Sequence, residues 1–163
     1  LSNTATVSYK WAVRRQQPQI SIPQRGKERK TIFGCVSPLS GELVTQIADK
    51  GNTKTFFSLL FKVAEKYKRQ KVYMVLDNVR FHHAKRLKPV LERYSHRMEL
   101  VFLPPYSPDL NPIERVWWLM RKRVTHNRWV KTMGERVDEL ERWCETISPL
   151  QIKTVCNLIE NIY

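Results

Sequence analysis

The sequence predicts an α/β fold, a mixed sheet with helices packed against it. Two β-rich stretches, Lys30–Ser37 and Glu42–Ala48, flank the turn cluster Ser37-Pro38-Leu39-Ser40-Gly41 and read as a hairpin with a longer loop. Two later runs, Val72–Leu76 and Leu100–Leu103, are apolar on both alternating sets, as in strands covered on both faces in a parallel part of a sheet. A helical pattern follows each of these runs. Hairpin, then strand-helix-strand-helix, is the signature of helices laid on one mixed sheet. A length of 163 residues fits a single domain with a real core, so residues 1–163 are read as one unit.

Each helix has a local reason. Gly51-Asn52 breaks the chain after the hairpin and caps a helix on which Phe56, Leu59, Leu60, Val63 and Tyr67 share one face. His83–His96 reads as a helix bent or started late at Pro89, because proline lacks the amide a helix interior needs. Further helices are expected from Pro112 to Asn127 and over Glu135–Thr146. Ser148-Pro149-Leu150-Gln151 opens the last one, with a serine cap, proline at the first position and a glutamine to reach back. Residues 1–29 carry many charges and weak periodicity and are expected to be irregular.

Composition narrows the function classes. Hydrophobic residues make up 42% of the chain, and no apolar run approaches the roughly 20 residues of a membrane helix, so no membrane partner is expected. No signal-peptide pattern opens the sequence, and Cys35, Cys144 and Cys156 are an odd set without metal-like spacing. A reducing, cytoplasmic location is the expectation, on the nucleoid if the host is a bacterium. The first residue is not Met, so the sequence reads as a fragment or a processed product.

Charge is more informative. The net charge is +14, and Arg115–Lys131 holds six basic residues (Arg115, Arg121, Lys122, Arg123, Arg128, Lys131) and no acid. Leu1–Gly34 holds seven basic residues, Arg14 and Arg15 among them, against the single acid Glu28. Clustered positive charge of this kind is the footprint of phosphate-backbone binding, with a solvated basic surface as the alternative. Trp11 and Trp129 sit in basic surroundings and are candidates to touch nucleic acid, whereas Trp117, Trp118 and Trp143 fall on helices and are expected in the core.

Two carboxylates stand out. Asp77 directly follows the apolar run Val72–Leu76, where polar groups of open α/β sheets usually hold ligands, though Asp-Asn is also good turn chemistry. Glu114 fits a capping box with Asn111 as cap and Pro112 at the first position. It would equally share a helical face with Trp117, Trp118 and Arg121, and a carboxylate there can ligate a metal. His82 and His83 have no partner at zinc-ligand spacing.

Leu76-Asp77-Asn78 with His82-His83, then Leu103-Pro-Pro-Tyr-Ser-Pro-Asp-Leu-Asn-Pro-Ile-Glu114 and Trp117, resembles the catalytic domain of the mariner-like DDE transposases, in their bacterial insertion-sequence branch. The match is close over Lys71–Arg123 and looser around Tyr9-Lys10-Trp11, Ile32-Phe33-Gly34 and Ser40–Leu43, and 36 residues separate the two carboxylates. The resemblance implies an RNase H-like fold and cleavage and transfer of DNA strands with Mg²⁺, Mn²⁺ being able to substitute. Asp77 and Glu114 would be the second and third acidic metal ligands, with Asn78 and His82 close to the site. Transposon ends and target DNA would be the partners, with phosphates held by Arg14, Arg15, Arg121, Lys122, Arg123, Arg128 and Lys131. A homodimer that holds two ends together is an expectation from the family alone.

One feature departs from that pattern. In the family the first aspartate ends a central strand upstream of the Tyr-x-Trp element, yet only eight residues precede Tyr9 and none is acidic. That aspartate, the first central strand and the upstream helix-turn-helix region are therefore expected to lie before Leu1. The 163 residues alone are expected to be inactive in cleavage and to bind DNA through phosphates. The other reading is a non-catalytic, basic DNA-binding remnant of a decayed insertion element.

Overall fold

The computed structural model describes residues 1–2, 8–9, 12–15, 28–78 and 87–156. The hairpin forms as expected, β1 (Thr31–Ser37) pairing antiparallel with β2 (Glu42–Ala48) from Thr31↔Ala48 to Ser37↔Glu42. Its turn closes with Gly41 N donating to Ser37 O at 2.8 Å, and Gly41 has φ +75°, the left-handed region that glycine adopts freely. A Cβ there would also lie 2.2 Å from Pro149 O, so the start of the last helix sits directly on the turn.

Helix α1 (Thr53–Lys66) starts at the predicted cap. Asn52 Oδ1 accepts from Thr55 N at 3.0 Å while Thr55 Oγ1 accepts from Asn52 N at 3.0 Å, satisfying two amides that the helix leaves without partners. Phe56, Leu59, Leu60 and Val63 are buried along one face, each stabilising the fold by about 2 kcal/mol of apolar transfer. They pack under both the hairpin, through Phe33, and the next two strands, through Met74, Leu76 and Met98.

Those strands are β3 (Val72–Leu76) and β4 (Met98–Phe102), parallel and in register from Val72↔Met98 to Leu76↔Phe102. The short helix α2 (Lys88–Arg93) precedes β4, with Pro89 in its first turn. The start of the expected helix, from His83, lies outside the described residues.

Among the described residues the hairpin and the parallel pair are two-stranded sheets bridged by α1 rather than by a ladder, within the mixed α/β fold expected. The expectation of strands covered on both faces is corrected: among the described residues the parallel pair is covered on one, with Met74 and Leu76 buried but Tyr73 60% and Val75 48% exposed. An unbroken apolar run has no alternation to reveal which side stays open, and α1 covers just one of the two.

The hairpin is covered on both faces. Opposite α1, its residues Val36 and Leu43 meet Ile113, Val116, Ile152 and Cys156, and Ile32 and Ile47 meet Met120, Val124 and Leu140. These come from α3 (Ile113–Met120), a π-helical turn over Arg121–Thr125, α4 (Met133–Thr146) and α5 (Pro149–Val155). The predicted capping box of α5 is present, with Ser148 Oγ and Gln151 Oε1 each accepting the other residue's amide at 3.2 Å. No helix among the described residues is long and apolar enough to cross a membrane.

Glu42 links the hairpin to the end of α1. Its carboxylate pairs with Lys66 at 3.0 Å and accepts from Tyr67 Oη at 2.8 Å and Ser40 Oγ at 3.0 Å. Lys66, then the two hydroxyls, hold the Glu42 carboxyl below the usual carboxylate range. A lowered folded value stabilises the fold above the unfolded value of about 4.3 and is lost as pH falls through the folded one. The thermal midpoint of Glu42→Gln should therefore lie below that of the parent at pH 7, with the gap narrowing as pH falls below about 4.3. A gap independent of pH would contradict the contact's electrostatic origin.

Candidate active site

The parallel strands end flush, and that places the site. Leu103 N donates to Leu76 O at 2.8 Å, extending the ladder by one residue, and the Asn78 side-chain amide donates to Leu103 O. Asp77 leaves the sheet between these two bonds and is exposed. From Leu103 the proline-rich segment turns back through Tyr106, which holds φ +60°, and a 3₁₀ turn at Pro108–Leu110. It then enters α3, whose first turn carries Glu114. A cavity of about 130 Å³ results, lined by Asp77, Asn78, Leu103, Pro104, Tyr106, Ser107, Pro108, Asn111 and Glu114.

The capping reading of Glu114 does not hold. Helix α3 begins one residue later than that reading requires, with Pro112 in the cap position and no side-chain cap bond. The Asn111 amide that Glu114 would have met is donated to Pro108 O at 2.9 Å, and Asn111 Oδ1 accepts from Ile113 N at 3.4 Å. Glu114 is exposed and faces the cavity instead. Its height above the sheet is set one turn along the helix, where the Trp117 ring lies across Gly34. A Cβ on Gly34 would be 2.6 Å from that ring, so only glycine lets α3 approach β1 this closely.

Carboxylate oxygens are the ligands a hard divalent cation takes, and Mg²⁺ is often held by one or two carboxylates plus water and phosphate. Asp77 and Glu114, from segments far apart in sequence, both line the cavity and offer oxygens of that kind. Among the described residues no group of three or more His, Cys, Asp or Glu side chains is placed to hold a metal.

The family model described as "DDE superfamily endonuclease" matches residues 1–135. The chain belongs to the DDE endonuclease superfamily. An insertion element IS630 protein of Shigella sonnei, uncharacterized and of 39 kDa, is 24% identical over 140 residues, which are 85% of this chain and 40% of that protein. An uncharacterized protein, y4pE/y4sA of Sinorhizobium fredii (strain NBRC 101917 / NGR234), is 31% identical over 107 residues, 65% of this chain and 76% of that protein. Among solved structures, the Mos1 transposase paired-end complex with left transposon end superposes with TM-score 0.71 at 14% identity, covering 96% of this chain and 48% of that one. The Mos1 strand transfer complex gives TM-score 0.68 at 15% identity, covering 94% and 47%. The chain thus spans less than half the length of the insertion-element relative and of the Mos1 chains. The RNase H-like fold and the mariner-like, insertion-sequence resemblance are both borne out, and the superfamily works with divalent metal ions.

In this DDE endonuclease fold the basic residues lie outside the cavity lining. Arg121, Lys122 and Arg123 are exposed on the π-helical turn that continues Glu114's helix, and Arg128 and Lys131 are exposed on the loop after it, beside Trp129. Trp117 and Trp143 pack into the core as expected, but Trp118 is 49% exposed, against expectation. Its side of α3 faces away from the hairpin. Asn127 brackets the backbone of Ser8, with Ser8 N and Ser8 O each 3.0 Å from its side-chain amide. Arg14 and Arg15 follow in an exposed turn, Arg15 at φ +72°. His82, His83, Lys10 and Trp11 fall outside the described residues. Sequence reasoning did not single out Tyr106 as a cavity wall; its left-handed backbone carries no signal in a Pro-Pro-Tyr-Ser-Pro string.

Arg136, fully buried on α4, holds the basic loop in place. It donates to Val124 O, to Arg128 O at 2.7 Å and to Glu139 at 2.8 Å. Burial pushes its pKa down while Glu139 opposes the shift. Removing the guanidinium strands two carbonyls and one carboxylate, so Arg136→Ala should lower unfolding free energy by about 3 kcal/mol in urea titration. A loss within about 0.5 kcal/mol, the usual range for surface changes, would refute this role.

Proposed function

We propose that this chain is the catalytic part of a transposase that cleaves and joins DNA strands at the ends of an insertion element. The observation that carries the reading is the meeting of Asp77 and Glu114 in one cavity, at the carboxyl ends of β3 and β4. Asp77 and Glu114 are the metal ligands, and Mg²⁺ is the cofactor, with Mn²⁺ suited to the same oxygens. When bound, the metal supplies Lewis-acid activation of the attacking oxygen and stabilisation of the leaving one.

The chain's own residues bind and orient. Asn78 locks the turn after Asp77 to Leu103, so the two walls of the cavity keep their spacing. Arg121, Lys122, Arg123, Arg128 and Lys131 take backbone phosphates, with Arg14 and Arg15 as further contacts from the N-terminal arm. A net charge of +14 supports DNA, both element ends and target, as the partner, and two ends held together call for a second copy. With two clustered carboxylates rather than three among the described residues, these 163 residues by themselves bind DNA without nicking it. The same observation favours a second reading, a non-catalytic DNA-binding remnant.

Binding of duplex DNA, read by fluorescence anisotropy, tests this in two steps. Affinity should fall steeply with salt, and Arg121→Gln should reduce the log–log slope by about one phosphate contact. At constant ionic strength, Mg²⁺ should raise the affinity of the parent but not of Asp77→Asn or Glu114→Gln. A parent that gains nothing from Mg²⁺ supports the remnant; salt-independent binding contradicts both readings. Nicking by this chain, lost in Asp77→Ala, would show that the site is complete as it stands.

A further inference from the structure

Helix α3 carries adjacent tryptophans with opposite fates. Trp117 lies across Gly34 in the core, whereas Trp118 is 49% exposed and belongs to none of the buried clusters among the described residues. Its ring is overlain by the Lys122 ammonium, 3.8 Å from the ring centroid. Glu114, Trp118 and Lys122 follow one another at four-residue steps, so they form one stripe along the helix, each step rising about 6 Å. The stripe runs carboxylate, aromatic ring, ammonium, and its first member lines the cavity.

The charges around the ring decide what covers it. From Arg115 to Lys131 there is no acidic residue, and Arg121, Lys122 and Arg123 are all exposed. An apolar protein surface would have to desolvate these cations, whereas a polyanion is drawn to them. We propose that Trp118, with Lys122, is a stacking site for an unpaired base of the DNA strand whose backbone lies at the Asp77–Glu114 cavity. The inference rests on the reading of this chain as DNA-processing and extends it to a residue outside the metal site. Every base has a π-face, so the contact is indifferent to sequence, but a base inside duplex DNA has its faces covered by its neighbours. On binding, the ammonium moves from the ring to the phosphate of the stacked nucleotide and opens that face to the base.

The test compares a single-stranded oligonucleotide carrying 2-aminopurine with a blunt duplex, without metal and at fixed salt. Trp118→Ala should weaken single-strand binding about tenfold and relieve the 2-aminopurine quenching, while duplex affinity stays within about twofold. Trp118→Phe, which keeps a ring, should retain most of the affinity and serves as the folding control. Lys122→Gln should lower the salt slope by about one contact, which Trp118→Ala should leave unchanged. Equal loss on both DNAs, or no loss on either, overturns the stacking site while the DNA-binding reading survives. If the parent binds neither DNA, both fall.

Discussion

The flush, parallel ending of β3 and β4 is the constraint on which the site depends. Because Leu76 pairs with Phe102, Asp77 and Leu103 leave the sheet side by side. The bond from Leu103 N to Leu76 O and that from Asn78 to Leu103 O then tie the two exits together. Each such bond contributes only about 1 kcal/mol, so their importance lies in direction rather than strength. They oblige the proline-rich segment to start beside Asp77, and its turns return the chain to the same place with Glu114 in the first turn of α3.

The packing of the helices completes that geometry. Helix α1 supplies one continuous apolar face beneath both small sheets, which fixes the hairpin relative to the parallel pair although no ladder joins them among the described residues. On the opposite side of the hairpin, Trp117 over Gly34 sets how closely α3 approaches, and so where Glu114 stands. Arg136 extends the same frame outward by holding the carbonyls at Val124 and Arg128, between the π-helical turn and the exposed cations. Glu114 at the cavity and the exposed cations of the π-helical turn are therefore successive parts of one helical arm.

Local chemistry made much of this legible in the sequence. Asn52 and Ser148 with Gln151 mark helix starts through the hydrogen bonds that each residue makes, and both appear where expected. Asp77 was legible because a strand's end can be read from the apolar run before it. Glu114 was ambiguous, since capping and lining the cavity ask for the same spacing; the position of Pro112 decides it. Trp118 was misread as core because Trp117 beside it is core, and the boundary of the buried face passes between the two. The open face of β3 and the π-helical turn depend on what packs from elsewhere, and no local pattern encodes that.

Iron-mediated backbone cleavage reports whether Asp77 and Glu114 share one ion, as proposed. Fe²⁺ bound in place of Mg²⁺ reduces added hydrogen peroxide to hydroxide and a hydroxyl radical, which cuts the chain beside the ion. A shared ion gives cuts near Asp77 and near Glu114 together, suppressed by excess Mg²⁺ and lost at both places in Asp77→Asn. Cuts at one segment only, or a pattern that Asp77→Asn leaves unchanged, would contradict it.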